Sequence, residues 1–194
     1  EAVFDGQNGQ YTEQIVPKPS LVYGQQKREI ENYLGKLGKE HLIVRIAKVY
    51  DTDPDESSLL TNWLRQIQTG GQTIHCANDF FSSAIHVRDT AEAILKLIER
   101  RHSGIFHVGG PHALSYLDMI EALIKEMTSR GLPIDANIEP CSIDKFPTIE
   151  SRPKNISMNT DKLIQATGIM PWDISMSCCD LMTRAQPEAA KRDA

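Results

Sequence analysis

The chain has 194 residues, 40% of them hydrophobic and 24% charged, with a net charge of −5 and an isoelectric point near 5.7. That length holds one domain or a domain with a small lobe, and the composition is that of an ordinary globular protein. The acidic balance and 6% aromatic content argue against a nucleic-acid surface, and no apolar run approaches the roughly 20 residues of a membrane helix.

Glu1 stands first, without a methionine, and Val3-Phe4 reads as the end of a strand, so the chain is expected to be the C-terminal part of a longer protein. Asp5 to Gln10 is turn-forming. After Pro17-Lys18-Pro19, Ser20 is placed to cap a helix through Tyr23, Lys27, Ile30, Tyr33, Leu34 and Leu37, with Gly38 ending it. His41 to Ile46 is β-branched and apolar, a buried strand. With Val3-Phe4 before the helix, this predicts a β-α-β unit with parallel strands.

An acidic loop ending in Pro54 follows, then a helical stripe of Leu59, Leu60, Trp63, Leu64 and Ile67 up to Gly70-Gly71. Thr73–Cys76 and Ala84–Val87 are strand candidates, and Asp89 is expected to cap a helix through Ala93, Ile94, Leu97 and Ile98. Ile105–Val108 reads as a strand ended by Gly109-Gly110-Pro111. Ser115 opens a helix through Leu117, Ile120, Leu123, Ile124 and Met127. Beyond Pro133 a loop-rich stretch is predicted, with short helices near Asp161–Ala166 and Ile174–Thr183 and a frayed polar tail from Gln186 to Ala194.

Tyr23 and Lys27 are the chemically loaded pair. On a helix, residues four apart share a face, so phenol and ammonium point into the same space. A free phenol, with a pKa of ~10, is a poor proton shuttle at neutral pH; a neighbouring fixed positive charge favours the phenolate. The four cysteines (Cys76, Cys141, Cys178, Cys179) lack C-x-x-C spacing, which predicts reduced thiols in a cytoplasmic setting. The histidines show no metal-ligand spacing, so no metal is assigned.

Taken in order, VFDG, YTE, a proline turn, YGQQK, LIVRIAKVYD, IHVRDTAEAI, and GIFHVGGPHALSYLDMIEAL resemble the extended short-chain dehydrogenase/reductase superfamily. The dTDP-4-dehydrorhamnose reductase type is the nearest resemblance, running from Val3 to about Trp172, and the segment from Arg152 to Leu163 is similar to that group's C-terminal lobe. The resemblance implies an α/β fold: the C-terminal part of a Rossmann-like doubly wound parallel sheet with a small mixed substrate lobe. Residues 1–115 would carry the later Rossmann strands with interleaved lobe segments, 116–185 the C-terminal substrate lobe, and 186–194 a flexible tail.

By the same resemblance, Tyr23 is the proton donor to a nucleotide-sugar carbonyl. Lys27 assists it and holds the ribose of NADP or NAD. The family's Ser or Thr partner would precede Glu1, so the catalytic set is incomplete here. Dinucleotide binding also needs a Gly-rich turn between the first strand and its helix. The glycines here (Gly6, Gly9, Gly35, Gly38, Gly70, Gly71, Gly109, Gly110) do not supply it. Tight NAD(P) binding by this chain is therefore not expected.

Lys48 stands where reductases of this type usually carry an aromatic residue against the sugar; it reads either as a contact to phosphate or carboxylate or as a solvated loop lysine. Arg152 reads either as a diphosphate contact or as a surface arginine. His86 is expected to be a structural hydrogen-bonding residue at a strand end, and the acidic run Asp51, Asp53, Asp55, Glu56 a solvated loop. Two other functions share the motifs: a nucleotide-sugar epimerase or dehydratase, and a non-catalytic regulatory subunit that keeps the fold. The partner expected is a nucleotide sugar, with a homodimer or a protein partner also open and no nucleic acid or membrane.

Overall fold

A computed structural model describes residues 1–185; the tail expected to be flexible lies outside the described residues. After an opening segment of turns come α1 (Val22–Lys36), β1 (Leu42–Ile46), β2 (Val49–Tyr50), α2 (Leu59–Thr69), β3 (Gln72–Ala77), β4 (Phe81–Ser82), β5 (Ile85–His86) and α3 (Val87–Glu99). Then follow β6 (Gly104–Val108), β7 (Leu114–Ser115), α4 (Tyr116–Ser129), β8 (Ala136–Cys141), α5 (Asp161–Thr167) and α6 (Ile174–Ala185). No described helix is long and apolar enough to cross a membrane.

The sheet pieces are mostly parallel. β1 pairs with β6 from Leu42 opposite Gly104 to Ile46 opposite Val108. β3 pairs with β8 from Gln72 opposite Ala136 to Ala77 opposite Cys141, and β2 pairs with β5. β4 and β7 form one short antiparallel pair. Helices precede β6 and β8, as parallel crossovers require.

Two apolar cores interleave along the chain. One gathers Leu60, Trp63 and Leu64 of α2, Ile74 of β3, Ile120 and Leu123 of α4, and Leu181 of α6. The other gathers Val3, Phe4, Tyr11, Ile85, Leu97, Phe106, Val108, Met158 and Leu163. The helices predicted from period and caps form as expected. Ser115 caps α4 through a reciprocal pair, its Oγ accepting from the Asp118 N–H while Asp118 accepts from the Ser115 N–H at 2.7 Å.

Four expectations are corrected. Val3-Phe4 is a turn, closed by the Phe4 N–H donating to the Glu1 carbonyl. Both residues are buried, and Phe4 stacks on Tyr11 with ring centroids 4.2 Å apart, so their apolarity reflects core packing without a ladder. The parallel partner of β1 is accordingly β6. Ser20 does not cap α1; the cap position is Leu21, and a distant glutamate takes the role, as described below. His86 caps α3 in place of Asp89, whose carboxylate instead accepts the Trp172 N–H at 2.7 Å. The stretch after Pro133 contains β8, which carries Asn137, Glu139 and Pro140 and so lacks a strand signature.

His86 is 1% exposed and structural, as expected. The Arg88 N–H donates to its Nδ1 at 3.2 Å, so the ring proton sits on Nε2 and is donated to Thr52 Oγ1 at 2.9 Å. Thr52 passes its own proton to Asp180 Oδ2 at 2.6 Å. Every proton in this relay is committed, so Thr52 is no activated nucleophile. Burial, partly offset by Asp89, Asp51 and Asp180, holds the His86 pKa below the usual histidine value. Thr52→Val should cost about 1–2 kcal/mol, chiefly by leaving the buried His86 Nε2–H without an acceptor, since Asp180 keeps Arg184, while Thr52→Ser stays near wild type. Urea midpoints at unchanged m-value measure the difference.

Candidate active site

α1 carries the Tyr23/Lys27 pair and is held in an unusual way. Its first free amide, that of Val22, donates to both carboxylate oxygens of Glu150, at 3.0 and 3.3 Å. A residue 128 positions away therefore supplies the negative charge that a helix N-terminus favours. One turn in, Gly24 lies so close to the opening segment that a Cβ there would overlap the Ala2 carbonyl oxygen. Ile30, Tyr33 and Leu37, which follow at helical spacing in the sequence, are exposed.

Tyr23 and Lys27 do share a face. The ammonium nitrogen stands 5.2 Å from the centroid of the Tyr23 ring, and Tyr23 is 57% exposed. They open into a cleft of about 410 Å³ between α1 and β1, walled by Ile30 and Leu34, by Leu42 to Ile46, and by residues 1–3. Along one side runs a buried ion pair. Arg45, in the middle of the otherwise apolar β1, grips Glu31 with Nε to Oε1 and Nη2 to Oε2, both at 2.8 Å. Arg28 adds a third donor to Glu31 at 3.0 Å.

The remaining Arg45 nitrogen, Nη1, lies 3.2 Å from His107 Nε2. Guanidinium can only donate, so Nε2 accepts and the proton sits on Nδ1, which donates to the Tyr11 carbonyl at 3.1 Å. Burial raises the Glu31 carboxyl, but Arg45 and Arg28 outweigh it and hold its pKa below the usual value. Burial, with Arg45 adding to it against the pull of Glu13, pushes His107 down to about 4.

The other two predicted residues stand elsewhere. Lys48 is exposed just past β1 and lines a separate cleft with Asp51, Ser58 and Asn62. Arg152 is half-buried and lines two further clefts, one with Gly6, Ser20 and Lys154, the other with Phe146 and Glu150. Through Ser20 the first of these abuts the start of α1. The structure thus joins Tyr23 to Lys27 and separates both from Lys48 and Arg152. Glu31, Arg45 and Glu150 are missed by motif reading. Arginine inside an apolar strand is the one signal that could have found the pair, because a buried guanidinium demands a carboxylate. Among the described residues no group of three His, Cys, Asp or Glu side chains could hold a metal.

Residues 1–185 match the RmlD substrate binding domain. The chain belongs to that family. A dTDP-4-dehydrorhamnose reductase from Aggregatibacter actinomycetemcomitans is 24% identical over 182 residues, covering 88% of this chain and 60% of the relative. Methionine adenosyltransferase 2 subunit beta from Rattus norvegicus is 28% identical over 173 residues, covering 83% and 48%. The crystal structure of a dTDP-4-dehydrorhamnose reductase from Bacillus anthracis in complex with NADP superposes with a TM-score of 0.77 at 21% identity, covering 93% of this chain and 62% of that one. The chain spans about half to three-fifths of the length of these relatives. The α/β architecture with parallel strand pairs is that of the Rossmann-like reductases.

The buried histidine sets a pH dependence. In the unfolded chain its pKa returns to the ordinary 6.5, whereas folded it stays near 4. The unfolded state then binds the extra proton, so stability from this group is whole above pH 6.5 and drains as pH falls toward 4. The loss is on the order of 3 kcal/mol. Glu31, with its depressed carboxyl, adds a further loss as pH falls through its folded value. Unfolding curves between pH 7 and 4 should therefore be steeper for wild type than for His107→Gln.

Proposed function

We propose that the chain is the proton-donating and substrate-holding part of a nicotinamide-dependent reductase acting on the 4-keto group of a nucleotide sugar. The observation that carries this reading is the Tyr23/Lys27 pair opening into one cleft. A tyrosine hydroxyl and an ammonium on one helix face suit a carbonyl being reduced, since the oxygen acquires negative charge as the carbon gains hydride. The relative named as a reductase and the NADP complex of the Bacillus anthracis protein support the substrate and cofactor classes.

The residues present fit NADP or NAD at that cleft: apolar Ile30, Leu34 and Val44 offer a face to a planar ring, and Lys27 offers donors to ribose hydroxyls. When bound, such a cofactor supplies the hydride. Tyr23 donates its hydroxyl proton to the carbonyl oxygen. Lys27, kept beside the ring, stabilises the tyrosinate that remains until it is reprotonated. Arg152 has no ion-pair or hydrogen-bond partner among the described residues and serves the diphosphate, for which a guanidinium fork is suited. Lys48 is offered to a further anionic group of the substrate. The Gly-rich pyrophosphate turn is not among these residues, so tight cofactor binding is not assigned to them.

A second reading is a subunit role in a larger assembly on the same fold, favoured by the 28% identity to methionine adenosyltransferase 2 subunit beta. NADPH oxidation with a dTDP-4-keto-6-deoxy sugar, run on the longer polypeptide, separates the two. Turnover is expected, and Tyr23→Phe should lower kcat by about 10²–10⁴-fold while leaving NADPH affinity near wild type. Arg152→Ala should raise the sugar-nucleotide KM about 10–100-fold. A wild-type protein without turnover that binds a methionine adenosyltransferase catalytic subunit would sink the reductase reading in favour of the subunit one.

A further inference from the structure

The helix that carries Tyr23 and Lys27 is almost unanchored by apolar contact. Its buried residues are Gly24 and Glu31, while Val22, Tyr23, Ile30, Tyr33 and Leu37 are exposed. Helices in proteins take most of their stability from an apolar face against the core, and among the described residues α1 draws little from that source. Besides the Glu150 carboxylate on the Val22 amide, two points of attachment along the helix body remain. Gly24 lets the helix approach the Ala2 carbonyl, and seven residues on, two turns and about 10.5 Å along the axis, Glu31 meets Arg45. Lys27 sits between them, one turn before Glu31.

We propose that Glu31, locked onto Arg45, is the positioning residue for the Tyr23/Lys27 pair: it fixes the rotation and height of α1 over β1 and so the place of phenol and ammonium. A single contact would let the helix roll about its axis. A planar two-bond fork does not, because both Oε atoms must stay in the guanidinium plane. That plane is itself fixed. Arg45 spends Nε and Nη2 on Glu31 and Nη1 on His107, and its guanidinium carbon stands 5.3 Å from the centroid of the Phe4 ring.

The energetics fit the assignment. The ion pair is nearly sealed, with side-chain exposures of 3% for Arg45 and 8% for Glu31. Buried pairs of this kind add little stability beyond a well-packed apolar pair, because desolvation offsets the attraction, and in some proteins they are retained because they specify geometry. A carboxylate, where leucine would hold the helix as firmly, is what positioning requires. The catalytic meaning rests on the reductase reading; the geometric claim does not.

Glu31→Gln and the doubly apolar Glu31→Leu/Arg45→Met test it on the 194-residue chain. Two measurements are made: hydrogen exchange of α1 and α4 amides, and residual dipolar couplings of the α1 amides set against those of β1 and β6, which report the roll and tilt of the helix over the strand. In Glu31→Gln the α1 amides should exchange at least about tenfold faster while α4 stays protected. The α1 couplings should no longer fit the wild-type orientation. The double variant should restore protection of α1 yet leave its orientation over β1 changed, a result that lost stability alone would not produce.

The proposal is overturned if a folded Glu31→Gln or double variant keeps the wild-type orientation of α1 over β1. Should Glu31→Gln fail to fold, the double variant decides. None of these readouts uses turnover, so failure of the reductase reading, seen as absent NADPH oxidation, remains distinct.

Discussion

A carboxylate and a guanidinium, each oxygen opposite its own nitrogen at 2.8 Å, join α1 to β1 and give the molecule its candidate site. Such a contact is costly to build, since both ions leave water, and it is tolerated where the partners satisfy each other completely. Arg28, His107 and the Phe4 ring complete the shell. Through the His107 ring the same network reaches the Tyr11 carbonyl, and Glu13 accepts the His107 backbone N–H at 3.0 Å. Four stretches of chain thus meet at one charge pair: the opening segment, α1, β1 and β6.

The rest of the fold is held differently. α2, α4 and α6 pack Leu60, Leu64, Leu123 and Leu181 into a dry core, and Tyr50 donates or accepts one hydrogen bond with Ser177 inside it. That side tolerates rearrangement of individual contacts because hydrophobic burial is non-directional. The site side does not, since its attachments depend on angles. This division places adaptable packing among α2, α4 and α6 and fixed polar geometry beneath Tyr23 and Lys27.

Much of this was legible in the sequence, for identifiable reasons. Period and caps marked α2 and α4, where the Leu59–Ile67 stripe and Ser115 leave one reading; β-branched runs marked β1 and β6; and the spacing of Tyr23 and Lys27 placed them side by side. What escaped were features fixed at long range. Val3-Phe4 is apolar because it is buried, not because it extends. β8 forms despite Pro140 and Glu139, because β3 offers it a parallel edge. Glu31 looks like any solvated glutamate until Arg45 is seen beneath it. Tertiary contact, not local preference, decided each of these.

The carboxylate of Glu150 lies on the Val22 amide, and two positions later Arg152 lines the clefts beside it. The two charges travel on one short piece of backbone. Any anion drawn to the guanidinium must therefore reckon with a neighbouring like charge, already spent on an orphan peptide N–H. A substitution that shifts residues 150–152 would therefore disturb the capped amide of Val22 and the clefts that Arg152 lines at the same time.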